Sequence, residues 1–215
     1  MRDYFCVFKI FTSPKKELSP TGKSELTRKK STSYNSETPI SVLKTLNPHM
    51  CNIEYVYRCV LQKVIIEGIP TLQVVPGKEK VTTFEEFIPW AIKYDNLVTW
   101  VGWNCLLYDM PFLSINAIKV GITLPTNPPL GLFAGRKYYK SPVFDLQDFL
   151  YNFNYPSSLI LTADGFEIPV DPKFLDSMYL DNVYDKNDKE AMQQYIWDLG
   201  ILIRELFIKS WSYYF

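Results

Sequence analysis

The residues of this chain best suited to chemistry lie in Val101-Gly102-Trp103-Asn104-Cys105-Leu106-Leu107-Tyr108-Asp109-Met110-Pro111-Phe112-Leu113. An apolar run from Leu97 to Trp103 reads as a buried strand, and an acid and a proline then open a helix. Asn104, Tyr108 and Asp109 therefore fall between a strand end and a helix start. A carboxylate there, beside an amide and an aromatic hydroxyl, can handle a metal-bound phosphate. The same residues also read as a strand-end turn and a helix start, where Asp satisfies free backbone N–H groups. Asp145, Asp198 and Glu54 are further acids of interest.

Several other chemistries are excluded by composition. His49 is the only histidine, and Cys6, Cys51, Cys59 and Cys105 form no C-x-x-C pair. A Cys/His zinc site is not expected, and any histidine-based triad would hang on one residue. Lys plus Arg and Asp plus Glu both number 23, so the formal net charge is zero. A nucleic-acid coat protein would be basic, so nucleic-acid contact must be local. With 215 residues, 47% of them apolar, the chain can build one real core. No leader is expected, since Arg2 and Asp3 precede too short an apolar run. The apolar run near residue 100 is broken by Asp109, Pro111 and Lys119, so no membrane span is expected. An intracellular, soluble protein is the expectation, with compartment and oligomeric state open.

The elements that must position the candidate residues follow from periodicity. Tyr4 to Thr12 reads as a first strand. Ser13 to Pro39 is rich in Ser, Thr, Pro and Lys and reads as a long, mobile basic insertion, a solvated loop rather than a nucleic-acid arm. Asn52–Gln62 and Val64–Val75 read as a hairpin with a tight turn between them. Thr83-Phe84-Glu85-Glu86 is a capping box opening a helix to about Tyr94, with Phe84, Phe87, Ile88 and Ala91 on one face. Met110–Val120 is the next helix, stopped by Gly121. Residues 123–141 read as irregular, and Val143–Leu146 as a short strand running into helical Gln147–Tyr151. Ser157–Ala163 reads as one or two turns. A long amphipathic helix from about Lys189 to Lys209 carries Ala191, Met192, Tyr195, Leu199, Leu202, Leu206 and Phe207 at helical spacing. Trp211-Ser212-Tyr213-Tyr214-Phe215 is an aromatic tail expected to dock on this domain or on a partner. The order describes a single α/β domain over 1–215. It fits an RNase H-like core: an antiparallel meander extended by parallel strands, with helices on both faces.

Asn104-x-x-x-Tyr108-Asp109 followed by Met110-Pro111 resembles the second motif of the DEDD 3'–5' exonucleases. The order of elements is closest to the family similar to the proofreading domain of family-B DNA polymerases. In that family the first strand carries a motif like Phe-Asp-Ile-Glu-Thr, and a final helix carries Tyr-x-x-x-Asp. Here the first-motif match is Phe8-Lys9-Ile10-Phe11-Thr12. Lys9 stands for the aspartate and Phe11 for the glutamate. In the third motif Asp198 is present, but the residue four before it is Gln194. Tyr195 comes one place late, about 100° around the helix.

The resemblance implies two Mg²⁺ ions about 4 Å apart in an intact site. Asp109 and Asp198 are the carboxylates left to serve as catalytic or metal-binding residues, in vestigial form. An ammonium and a phenyl ring oppose hard cations. Lys9 is expected to fill part of the vacated site and pair with Asp109 or Asp198. Phe11 is expected to add apolar bulk or a stacking face for a base. Asn104, Tyr108 and Tyr195 are the candidate nucleic-acid contacts. The reading is a pseudo-exonuclease that binds single-stranded DNA or serves in a protein assembly, with no cofactor expected. One alternative is an active Mg²⁺- or Mn²⁺-dependent exonuclease with relocated ligands, using Asp109, Asp198, Asp145 and Glu54. The other is a purely structural scaffold.

Overall fold

The computed structural model describes residues 3–32, 38–39, 47, 49–95, 97–122, 143–151, 158–176 and 178–214. Strand alternation sets its layering. Along β1 (Tyr4–Pro14), Phe5, Val7 and Phe11 join one apolar cluster, while Cys6, Phe8 and Ile10 join another. A strand turns successive side chains to opposite faces, so β1 must be covered twice. β1 is the middle strand of five, in the order β3-β2-β1-β4-β5.

β2 (Cys51–Ile66) pairs antiparallel with both β1 and β3 (Ile69–Thr83). The turn lies at Glu67-Gly68, later than the sequence pattern placed it. Glu67 (φ 51°) and Gly68 (φ 81°) both adopt positive φ, the conformation that a two-residue hairpin turn of matching twist demands. Lys63 instead continues the strand, paired with Leu72. β4 (Thr99–Gly102) lies parallel to β1, and β5 (Val143–Asp145) parallel to β4. The expected antiparallel meander with parallel extension is therefore present. The fold is α/β, a mixed sheet of RNase H-like topology.

Helices cover both faces. On one side lie α2 (Phe84–Tyr94) and α3 (Asp109–Lys119). Thr83 caps α2 by accepting from the Glu86 N–H at 3.4 Å, and Phe84, Phe87, Ile88 and Ala91 are its buried face, as the periodicity predicts. On the other side lie α5 (Leu159–Gly165), α6 (Tyr179–Lys186) and α7 (Lys189–Tyr214). Gly200 lets α7 seat on the sheet, because a Cβ there would lie 2.1 Å from the Tyr57 ring. Trp211 of the aromatic tail is buried on this domain, its ring 5.0 Å from that of Phe5. No helix among the described residues is long and apolar enough to cross a membrane.

The long-loop reading of 13–39 is corrected over half its length. Pro20–Thr32 forms a helix, α1. The Ser19 hydroxyl accepts from the Gly22 N–H at 3.1 Å, and Lys29 pairs with Glu25 one turn away. An N-cap serine with proline at the first helical position is a start signal that the polar composition obscured. Helix α6 was also absent from the sequence reading, although Leu180, Val183 and Tyr184 are helically spaced. Residues 123–141 and the end of the tail lie outside the described residues.

Candidate functional site at the ends of the central strands

Three turns of chain converge where β1, β4 and β5 end. Gly102 closes β4, and a Cβ there would lie 2.6 Å from Cys105 Cβ, so only glycine admits the turn that follows. Asn104 takes a left-handed conformation (φ 52°), which asparagine tolerates better than most residues. Asp145, at the end of β5, accepts backbone N–H bonds from Asn104, Leu106 and Gln147 at 2.9, 2.9 and 3.0 Å. Asp145 thus stitches the 104–106 turn to β5 and to the start of helix α4 (Leu146–Tyr151). Three backbone N–H groups hold its carboxylate, which gives it a structural part.

Asp109 does something different. It opens α3, yet its carboxylate reaches across to β1 rather than to its own helix. Oδ2 accepts from Lys9 Nζ at 2.8 Å, and Oδ1 accepts from the Ile10 N–H at 3.2 Å. Asp109 is 0% exposed, and burial pushes its carboxyl pKa up while Lys9 and the Ile10 N–H oppose the shift. The Lys9 ammonium also lies 5.3 Å from the centre of the Tyr108 ring. Tyr108 stacks on Phe112 with ring centres 4.5 Å apart, and its hydroxyl meets Thr12 Oγ1 at 3.3 Å.

Two residues on along the same face of β1, Phe11 is buried under aromatic rings. Tyr184 of α6 and Tyr195 of α7 lie 5.7 and 6.0 Å from it, centre to centre. The Tyr184 hydroxyl donates to the Thr12 carbonyl at 2.6 Å. Burial pushes the Tyr195 hydroxyl pKa up to about 12 and raises that of Tyr184 as well. Phe11 is therefore apolar filling, and with 4% exposure it offers no free face to a base.

Helix α7 turns Tyr195, not Gln194, toward β1. Gln194 donates instead to Asp198 Oδ1 at 2.8 Å on the exposed side, and Lys173 holds Asp198 Oδ2. Asp198 lines a separate cleft of about 430 Å³ with Asp171, Phe174 and Glu205. The structure thus brings together Lys9, Tyr108 and Asp109, and separately Phe11 and Tyr195, but it holds Asp198 elsewhere. Four residues after Tyr195 stands Leu199, packed against the core. On the helix face toward β1, Tyr195 is followed one turn later by the apolar Leu199. Lys173 and Tyr184 went unseen in the sequence because their roles depend on where the 170–186 segment returns.

The donor set does not fit a pair of divalent cations. Among the described residues no group of three or more His, Cys, Asp or Glu is arranged to hold a metal. A hard cation needs several oxygens, and here one carboxylate is already neutralised by an ammonium.

No protein-family model and no curated protein matches this chain. Among solved structures it is similar to the family B DNA polymerase of the hyperthermophilic archaeon Pyrobaculum calidifontis. The identity is 14% and the TM-score 0.44, over 94% of this chain and 24% of that one. The chain therefore spans about a quarter of that polymerase's length.

Proposed function

We propose that this chain is an exonuclease-like module that has lost two-metal catalysis and acts by binding in DNA metabolism. The observation that carries this reading is the Lys9–Asp109 ion pair, in which the carboxylate of the resembling motif already has an ammonium partner. Phe11 and its aromatic neighbours support it by filling the adjoining space with apolar side chains. Leu199 beyond the inward-facing Tyr195 supports it from the helix side. The active alternative with relocated ligands would need its carboxylates gathered, whereas Asp145 is bound to backbone and Asp198 to Lys173.

Binding to single-stranded DNA and a place in a protein assembly are the two forms of the reading. A specific feature favours the second. Ile65, Ile66 and Ile69 are 73%, 44% and 65% exposed at the tip of the β2–β3 hairpin, and contiguous exposed apolar surface marks contact sites.

The test is incubation of the purified chain with 5'-labelled single-stranded DNA in Mg²⁺ and then Mn²⁺, beside Asp109→Asn. No product ladder in either metal is expected. A ladder that disappears in the variant would overturn the proposal. Retention of intact strand, weakening steeply with added salt, would select DNA binding over assembly, because phosphate contacts release counterions.

A further inference from the structure

Beyond the filled centre, a cleft of about 1030 Å³ runs between the end of β1, the start of β2 and helix α6. Its described lining includes four carboxylates, of Glu17, Glu54, Asp181 and Asp185, against the ammonium groups of Lys15 and Lys16. Glu54 is engaged by the Ser13 hydroxyl. Asp181 has no hydrogen-bond partner among the described residues, at either carboxylate oxygen, and it is 6% exposed. Burial and the Asp185 carboxylate both raise its pKa. A buried carboxylate without donors carries its desolvation penalty with nothing to offset it. A buried carboxylate of this kind beside an open cleft is a candidate partner for a ligand that supplies the missing donors.

We propose that this cleft is a binding site for an organic cation, an ammonium or guanidinium group on an alkyl stem, with Asp181 as its principal partner. Such a group brings the N–H donors and the positive charge that Asp181 lacks. Asp185 lies one turn further along α6 and adds attraction. Met178 and Met192 line the same cleft and offer pliable apolar walls to the stem. The lysines follow β1, which places the cation on the α6 side. A divalent metal is the poorer occupant, since the described acids do not form a coordinating group of three. The site is independent of the exonuclease resemblance, because none of these residues belongs to the quoted motifs.

The experiment is an NMR titration of the full chain, observing the side-chain carboxyl carbons of Asp181 and Asp185. The probes are butylammonium, blocked arginine and blocked lysine, with NaCl at matched ionic strength and MgCl₂ as separate arms. Saturable shifts at both carboxyls are expected from the organic cations, with the Asp181 titration midpoint moving to lower pH on binding. Asp181→Asn should weaken binding about tenfold or more, which corresponds to roughly 1.4 kcal/mol. Asp185→Asn, at an exposed position, should weaken it severalfold and serves if Asp181→Asn does not fold. Preference for butylammonium over the blocked amino acids would indicate a free amine, and the reverse a partner side chain. Equal shifts in NaCl, saturation by MgCl₂ at lower concentration, or binding unchanged in the variants would overturn the proposal.

Discussion

Asp109 and Asp181 are both buried aspartates beside the last residues of β1, and their surroundings differ completely. Asp109 accepts from an ammonium and from a backbone N–H. Asp181 accepts from no described residue. Both have raised pKa values, because burial dominates in each. In one, the protein has supplied the counter-charge from its own strand and closed the site. In the other, the cost of burial stands uncompensated, and the cleft beside it stays open. A buried acid is thus informative through its partners, not its burial. The one with a built-in cation supports a structural part, and the one without points to a ligand.

The largest effect that could break this contrast is at Lys9. Lys9→Ala leaves the buried Asp109 without its counter-charge, with only the Ile10 N–H beside it, and should cost about 3–5 kcal/mol in urea unfolding. The Lys9→Met, Asp109→Leu pair should cost clearly less than Lys9→Ala alone, because no lone charge remains. If the pair costs as much as the sum of the single changes, the two residues are not coupled and the contrast fails.

Asp145 extends the comparison to an acid held by three backbone N–H groups. Asp145→Ala strips acceptors from three N–H groups and should cost about 2–3 kcal/mol. Metal addition should not rescue it. Gly200→Ala tests the seating of α7 that points Tyr195 inward and Asp198 outward. Overpacking against Tyr57 should cost about 1–3 kcal/mol, with near-ultraviolet circular dichroism reporting the disturbed aromatic packing.

The smallest effect is at Asp181, and its sign is the informative part. A raised native pKa means the folded state holds its proton more tightly than the unfolded chain, whose value is near 3.8. Its contribution is then fully present below that pH and is lost as pH rises through the native pKa. Asp181→Asn removes that loss, so it should be more stable than the parent at pH 7 and differ little below pH 3.8. Urea midpoints at the two pH values measure this. A variant less stable at pH 7 would mean that Asp181 has a favourable partner in the free protein.

The elements were legible where a local pattern carries its own physics. Thr83 and Glu86 marked the start of α2, and Phe84, Phe87, Ile88 and Ala91 marked its buried face. Asn104, Tyr108 and Asp109 could be placed at a strand–helix junction because a strand-like apolar run meets an acid and a proline there. Helix α1 was hidden because Leu26 is its one large apolar side chain, so no apolar stripe forms and only Ser19 and Pro20 announce it. The inward face of α7 at Gln194 and Tyr195 was ambiguous for a related reason. Gln194 and Tyr195 are neighbours in sequence but about 100° apart on the helix, and which of them faces β1 depends on where Gly200 lets α7 rest.

The sequence by itself determined the α/β class, the sheet's meander with its parallel extension, and the presence of Lys9 and Phe11 on the first strand. Those features rest on side-chain alternation, helical spacing and residue identity, all of which are local. Tertiary structure alone decided that Lys9 meets Asp109 while Lys173 takes Asp198, since each partner arrives from a distant segment. It also decided that Asp181 is buried with no hydrogen-bond partner among the described residues. Pairing and desolvation of charge depend on what surrounds a side chain in space, and chain order does not state that.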